Sequence, residues 1–170
     1  MLDVKFVCED KYMPTYANST DACMDLKVKI WNTDFRHAHF DRFDDGEFVE
    51  LCADLRNSSW ILPNETRVFG SGVQVSIPEG YVMLVFVRSS TGIKKGLVLA
   101  NGTGVIDSGF KDEIKIALRN ESSEPIQLKD GDRLCQFMII PFPKINLIRT
   151  EDNEDFRKGD RGGGIGSTGN

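Results

Sequence analysis

Seven apolar residues run without a break from Tyr81 to Val87 as YVMLVFV, and this stretch constrains the fold most. A strand apolar on both sides calls for burial on both faces. Further short extended segments surround it: VKFV from residue 4, VFGSGVQVSI from 68, GLVLA from 96, EIKIAL from 113, PIQL from 125 and LCQFMII from 134. Gly, Pro, Asn and Asp clusters separate them, and GVQVSI alternates with period two. The pattern predicts an all-β fold, sandwich or barrel, without internal repeats or sustained heptads. At 170 residues the chain makes about one domain.

Two regions depart from that pattern. Residues 31–60 mix aromatic and charged residues and read as an insertion, in which EFVELCADLR suits two or three helical turns with Phe48, Leu51 and Leu55 on one face. From Glu151 the chain is too rich in Gly and charge to pack, so residues 151–170 are expected to form a flexible arm beyond a β domain spanning 1–150.

Charge and composition exclude several function classes. A net charge of −5 works against stable nucleic-acid binding, which demands clustered Lys and Arg. No apolar run approaches the ~20 residues of a membrane span. The start MLDVKFVCED lacks a basic region and a long apolar core, so no secretory signal is read and a cytoplasmic location is expected. The N-x-S/T matches at Asn18, Asn57, Asn64, Asn101 and Asn120 are accordingly taken as chance. Cys8, Cys23, Cys52 and Cys135 share no close spacing, which argues against a zinc site or a disulfide framework.

Several local motifs fail on inspection. Gly164-Ile-Gly166-Ser-Thr-Gly169 spells GxGxxG, but only one residue follows it, so no helix can meet a pyrophosphate there. GVIDSGFKD resembles a P-loop loosely, yet Phe110 separates the second glycine from the lysine and no Ser or Thr follows. His37, His39 and Asp41 lack further metal ligands, and no serine has the context of a nucleophile elbow. The stretch ANGTGVIDSGF, residues 100–110, carries the Asn-Gly signal of a hairpin turn and ends its apolar recovery at Asp107.

What remains is an ordered set: DACMDL with Asp25, VRSSTG with Arg88, Ser89 and Ser90, NGTGVIDSGF with Asn101 and Asp107, GDRLCQF with Gln136, and RGGGIGSTG with Arg161. In this order the set resembles the five motifs of the homotrimeric dUTP diphosphatase (dUTPase) family, loosely AGxDL, RSS or RSG, GVID with a following aromatic, GDRIAQ and RGxGGFGSTG. The resemblance spans residues 21–169 apart from the insertion.

That resemblance implies a jelly-roll or β-barrel subunit with a C-terminal arm, a homotrimer with shared active sites, and Mg²⁺-dependent hydrolysis of dUTP to dUMP and pyrophosphate. Backbone groups around Gly104 and Val105 would pair with the uracil edge, and Asn101 would add an amide. A pocket of fixed donors and acceptors rejects a mismatched base by roughly 10⁴-fold or more. Asp107 would bind the 3′-OH and orient or deprotonate the attacking water. Phe110, where the family usually has Tyr, would lie against the sugar and exclude a ribose. Arg88, Ser89, Ser90 and Gln136 would hold phosphate oxygens, Asp25 would hold Mg²⁺ through water, and Arg161 would reach the γ-phosphate as the arm closes.

The chain departs from the family pattern in places. Cys23 replaces a glycine, the arm is one residue shorter between Arg161 and Ile165, and Ile165 before Gly166 replaces an aromatic that stacks on uracil. The insertion has no counterpart in compact members; its aromatic and acidic content suits a protein partner, though an elaborated surface loop is the simpler reading. A related deaminase of dCTP needs a glutamate ten residues beyond the position of Asp107, and Ala117 stands there, which leaves Glu113 as the one stand-in. A nucleotide-responsive regulator acting through the insertion is the other alternative.

Overall fold

The structure, a computed structural model, describes residues 2–30 and 58–151. Among them lie β1 (Lys5–Cys8), a 3₁₀ turn (Asp10–Tyr12), β2 (Met24–Lys27), β3 (Ser58–Ile61), β4 (Thr66–Gly70), β5 (Val73–Ser76) and β6 (Tyr81–Val87). Then follow α1 (Ser89–Lys95), β7 (Leu97–Leu99), β8 (Gly104–Ile106), β9 (Lys115–Asn120), β10 (Ile126–Lys129) and β11 (Arg133–Pro141). A four-stranded sheet has the order β2-β11-β6-β8 and a three-stranded sheet the order β4-β9-β7, with β1-β5 and β10-β3 as separate pairs. Their pairings are antiparallel.

The period-two segments bury one face, as their patterns require. In β9, Ile116, Leu118 and Asn120 point inward; in β5, Val73 and Val75 do, while Gln74 and Ser76 are exposed. Met83 and Val85 of β6 join Leu26, Cys135 and Phe137 from its own sheet and Phe69, Ile116, Leu118, Leu97 and Leu99 from the three-stranded one in a single apolar core. The expected burial of YVMLVFV on both faces is half met, because Val82, Leu84 and Phe86 on the outer face are only partly covered.

The segment VFGSGVQVSI is two strands, divided at Ser71 and Gly72. Gly72 has φ +70, and a Cβ there would lie 2.6 Å from the Tyr12 ring, so only glycine fits. The stretch around Asn101 is not a hairpin in the usual sense: β7 pairs with β9 and β8 with β6, so the turn carries the chain from one sheet to the other. Residues 58–60, read as the end of the insertion, belong to β3 on the β10 edge. The expected helix in EFVELCADLR, together with His37, His39, Asp41 and Cys52, lies outside the described residues.

The two described ends that flank the insertion meet at one turn. Ser58 pairs with Lys129, and the Ile30 amide donates to Asp130 Oδ1 at 2.8 Å. Asp130 also accepts from the Tyr12 hydroxyl at 3.0 Å and from the Lys11 ammonium. Burial alone would raise the Asp130 pKa, but the bonds from Lys11, the Ile30 amide and Tyr12 outweigh it and hold the carboxyl below its usual value. Burial, reinforced by the Asp130 carboxylate, pushes the Tyr12 hydroxyl upward.

Candidate active site

Four of the five sequence motifs lie on one sheet. Asp25 is on β2, Gln136 on β11, Arg88 directly follows β6, and Gly104 to Ile106 form β8. Asp25 faces Gln136 across the β2–β11 ladder, and Gln136 faces Phe86 across the β11–β6 ladder, so the three share the outer face.

Asp25 is 5% exposed, and its main-chain amide donates to Thr15 O at 2.8 Å. A buried carboxylate is costly unless paired, and here two guanidiniums pair it. Arg88 Nε lies 2.9 Å from Oδ1, and Arg133 Nη1 donates to Oδ2 at 3.1 Å. The Arg88 main chain extends the β6–β11 ladder, its amide donating to Leu134 O at 3.0 Å, while its Nη1 donates to Arg133 O at 3.1 Å. Arg88 therefore stands at the N-cap of α1 with its fork held in place. Ser89 and Ser90 open the first turn, are exposed, and have the main-chain amides that a helix start leaves without intrahelical acceptors. Arginines, hydroxyls and helix-start amides gathered in this stretch are the donor types that suit phosphate oxygens.

Arg133 stands in the GDRLCQF motif but was given no role of its own from the sequence. Regular alternation from Gln136 would send its side chain to the other face, but the β2–β11 register slips between Arg133 and Cys135. Leu134 and Cys135 are consequently buried in succession and Arg133 emerges outward. The GDR triplet that opens this motif and the adjacent apolar pair in RLCQF are the signals the sequence carries for it.

The second group of expected residues lies at another corner. Gly104 is buried against Val85, where a Cβ would come 3.0 Å from the valine Cβ, so the β8 backbone sits close to β6. β8 is the edge of its sheet, and its outer backbone groups have no strand partner among the described residues. Val105 is 60% and Phe110 38% exposed, and Asp107 and Asn101 are also exposed. The Phe110 amide donates to Asp107 O at 3.1 Å, closing a turn after β8.

One chain does not bring the two groups together. Asp25 is level with Phe86, whereas Asp107 follows the Ile106–Met83 pair. Strand rise and spacing place the two carboxylates about 20 Å apart, across three strand spacings and about four residues of length. Arg161, Ile165 and Gly166 lie outside the described residues.

The donor set also tests the expected metal. Among the described residues no three His, Cys, Asp or Glu side chains converge on one point. That excludes a cage built from those residues alone but fits Mg²⁺, which typically uses one or two carboxylates, waters and substrate phosphates. The rival proton shuttle fares worse. Glu113 accepts from the Gly72 amide at 2.7 Å and pairs with Lys115 at 3.3 Å, so it is tied to the β4–β5 turn.

Fold and site together define a jelly-roll β protein whose outer sheet face is equipped for a phosphorylated ligand. The family model for dUTPase matches residues 53–169. A deoxyuridine 5′-triphosphate nucleotidohydrolase of Finegoldia magna is 36% identical over 121 residues, 71% of this chain and 83% of that protein. One from a Hydrogenobaculum species is 29% identical over 98% of this chain and 96% of its own. Among solved structures, a mutant dUTPase from phage phi11 of S. aureus, with a coordinated structural Mg(II) ion, superposes with a TM-score of 0.66 at 23% identity, covering 90% of this chain and 99% of that one. The chain belongs to the dUTPase family.

Proposed function

We infer that this protein is a dUTP diphosphatase, hydrolysing dUTP to dUMP and pyrophosphate, which limits uracil incorporation into DNA and supplies dUMP for thymidylate synthesis. The observation that carries this reading is the gathering of four motifs on the β2-β11-β6-β8 sheet. No dCTP deaminase reading is favoured, because Ala117 offers no acid and Glu113 is tied elsewhere.

Within this reading the phosphate side consists of Arg88, Ser89, Ser90 and Gln136. Arg88 presents a planar fork and the serines a hydroxyl pair, so the triphosphate is held while negative charge builds at the leaving phosphate. Mg²⁺ would be held by Asp25 through water and by phosphate oxygens; when bound it supplies charge neutralisation there. The free edge of β8 offers Gly104 and Val105 backbone groups to the uracil, with Asn101 alongside. Phe110 lies against the deoxyribose. Asp107 binds the 3′-OH and readies water against the α-phosphorus. Arg161, Ile165 and Gly166 close over the nucleotide as the 151–170 arm orders beyond the 1–150 domain.

A homotrimer with sites shared between copies is part of the proposal. It is supported by the roughly 20 Å between Asp25 and Asp107 in one chain and by the outer apolar row Met138–Leu84–Val105, which runs across three strands and leaves Val105 60% exposed. Exposed Ile145, Leu147 and Ile148, after β11, add apolar surface for a neighbour to cover. We place the activity in the cytoplasm, with free nucleotide as its ligand and without stable nucleic-acid binding. Among the described residues no helix is long and apolar enough to cross a membrane. A protein partner at the insertion remains part of the reading, on the strength of its aromatic and acidic composition alone.

Pyrophosphate release assayed with dUTP, dCTP, dTTP and UTP in Mg²⁺ tests the assignment. Turnover confined to dUTP is expected; ammonia release from dCTP would reverse it.

A further inference from the structure

We propose that Asn101–Gly102 is a site of spontaneous deamidation at which unliganded protein loses its base pocket, and that bound nucleotide holds the reaction back; the role of the nucleotide rests on the dUTPase reading above. Three observations carry it. Asn101 is the only asparagine of the chain followed by glycine, and Asn101, Gly102 and Thr103 are all exposed. Gly102 has φ +69, and across it the Thr103 amide donates to Asn101 O at 2.8 Å, which is the γ-turn of positive φ, the rare and strained form. A Cβ at Gly102 would meet nothing within 4 Å, so solvent reaches this peptide unobstructed.

The chemistry follows from that turn. The main-chain nitrogen of Gly102 gives its proton to solvent base and attacks Asn101 Cγ. The new N–Cγ bond closes a succinimide ring, the Cγ–Nδ2 bond breaks, and Nδ2 leaves as ammonia. Water then opens the ring at either carbonyl, giving aspartate or isoaspartate. The Thr103 bond draws electron density from the peptide that must ionise, while the 2.9 Å bond from Gly102 N to Leu99 O must open first and sets the pace. Two related positions are shielded. Asn120 is buried with its amide nitrogen on two carbonyls, and Asp130, which also precedes a glycine, has its carboxyl held by Lys11, Tyr12 and the Ile30 amide.

Either product damages the site. Aspartate offers no N–H to uracil and adds a negative charge beside the base. Isoaspartate inserts a methylene into the main chain just ahead of β8, where Gly104 has no slack against Val85. A bound nucleotide engages the Asn101 amide and keeps the turn closed, so occupancy slows the reaction.

The test incubates the full chain at several pH values with and without saturating dUpNHpp, the imido analogue of dUTP. Peptide mapping by mass spectrometry reads conversion at Asn101, with exposed Asn18 and Asn64 as internal references, and dUTP turnover is read on the same samples. Conversion is expected at Asn101 well ahead of both references, faster as pH rises, severalfold slower with dUpNHpp, and in step with loss of turnover. Asn101→Asp makes one product directly and should raise KM for dUTP about tenfold, the loss of one buried hydrogen bond, with the thermal midpoint unchanged. Conversion no faster than at Asn18 and Asn64 overturns the proposal. Equal conversion with dUpNHpp bound overturns the protection, and full turnover after conversion, or an unchanged KM in Asn101→Asp, overturns the damage. Fresh wild-type protein without dUTP turnover would instead sink the functional reading, while the mass measurement still decides the modification.

Discussion

Asp107 carries the sharpest prediction among single residues. Its exposed position after β8 leaves the carboxylate free to meet ligand, so Asp107→Asn should bind dUpNHpp with near-normal affinity while kcat falls by about 10²-fold or more. Normal turnover would remove its assigned role. Asp130 acts on stability rather than chemistry. Its folded pKa lies below 3.8, so its contribution is present above that value and disappears as pH falls through the folded value. Tyr12 has the opposite sign. Its pKa is raised above 10.0, so its contribution is present below that value and is lost as pH rises beyond it. Asp130→Asn should therefore lose about 1–2 kcal/mol near neutrality, and its advantage-free acid limb should be flatter in denaturant titrations. Asn120 was legible only as a chance sequon. It is fully buried, with its amide donating to Ile61 O at 2.9 Å and Glu124 O at 2.8 Å while its oxygen accepts from Ser122. Asn120→Ala should cost about 2–4 kcal/mol, measured by chemical unfolding, because those carbonyls lose their partner.

At the level of elements, the sequence showed most of the strands but not their partners. The long or regularly alternating runs at β5, β6, β9 and β11 were visible because pattern and burial agree. β2 was hidden by Asp25 at its centre, β8 by having only three residues, and β3 by polar Ser58 and Ser59 beside a charged stretch. The motifs singled out Asp25, Arg88 and Gln136, and the structure brings them onto one sheet; Arg133 belongs to the same GDRLCQF motif, but its outward turn needed the bulge, since a register slip is a property of two strands and not of one. The turn at Asp130 yields a prediction here. Because Ile30 and Ser58 are both held beside it, replacing residues 31–57 with a short Gly-Ser link should leave the thermal midpoint within a few degrees. Loss of folding in that deletion would show that the segment supports the core.

Over the whole molecule, the roughly 20 Å between Asp25 and Asp107 in one chain makes the proposed sharing of sites between copies testable. Neither Arg88→Met nor Asp107→Asn should be active alone, yet co-refolded mixtures should recover about a quarter of wild-type activity if each site draws the two residues from different copies. Persistently inactive mixtures, or a monomer in sedimentation that still hydrolyses dUTP, would exclude sharing. That separation could not be read from motif order, which records sequence and not register. The turn at Asp130 has an evolutionary consequence as well. Closing a longer excursion costs only about 0.6 kcal/mol per doubling of length, so this corner is a place where a lineage can trade one stretch of chain for another. New recognition could be grafted there and discarded again while the chemistry is inherited unchanged.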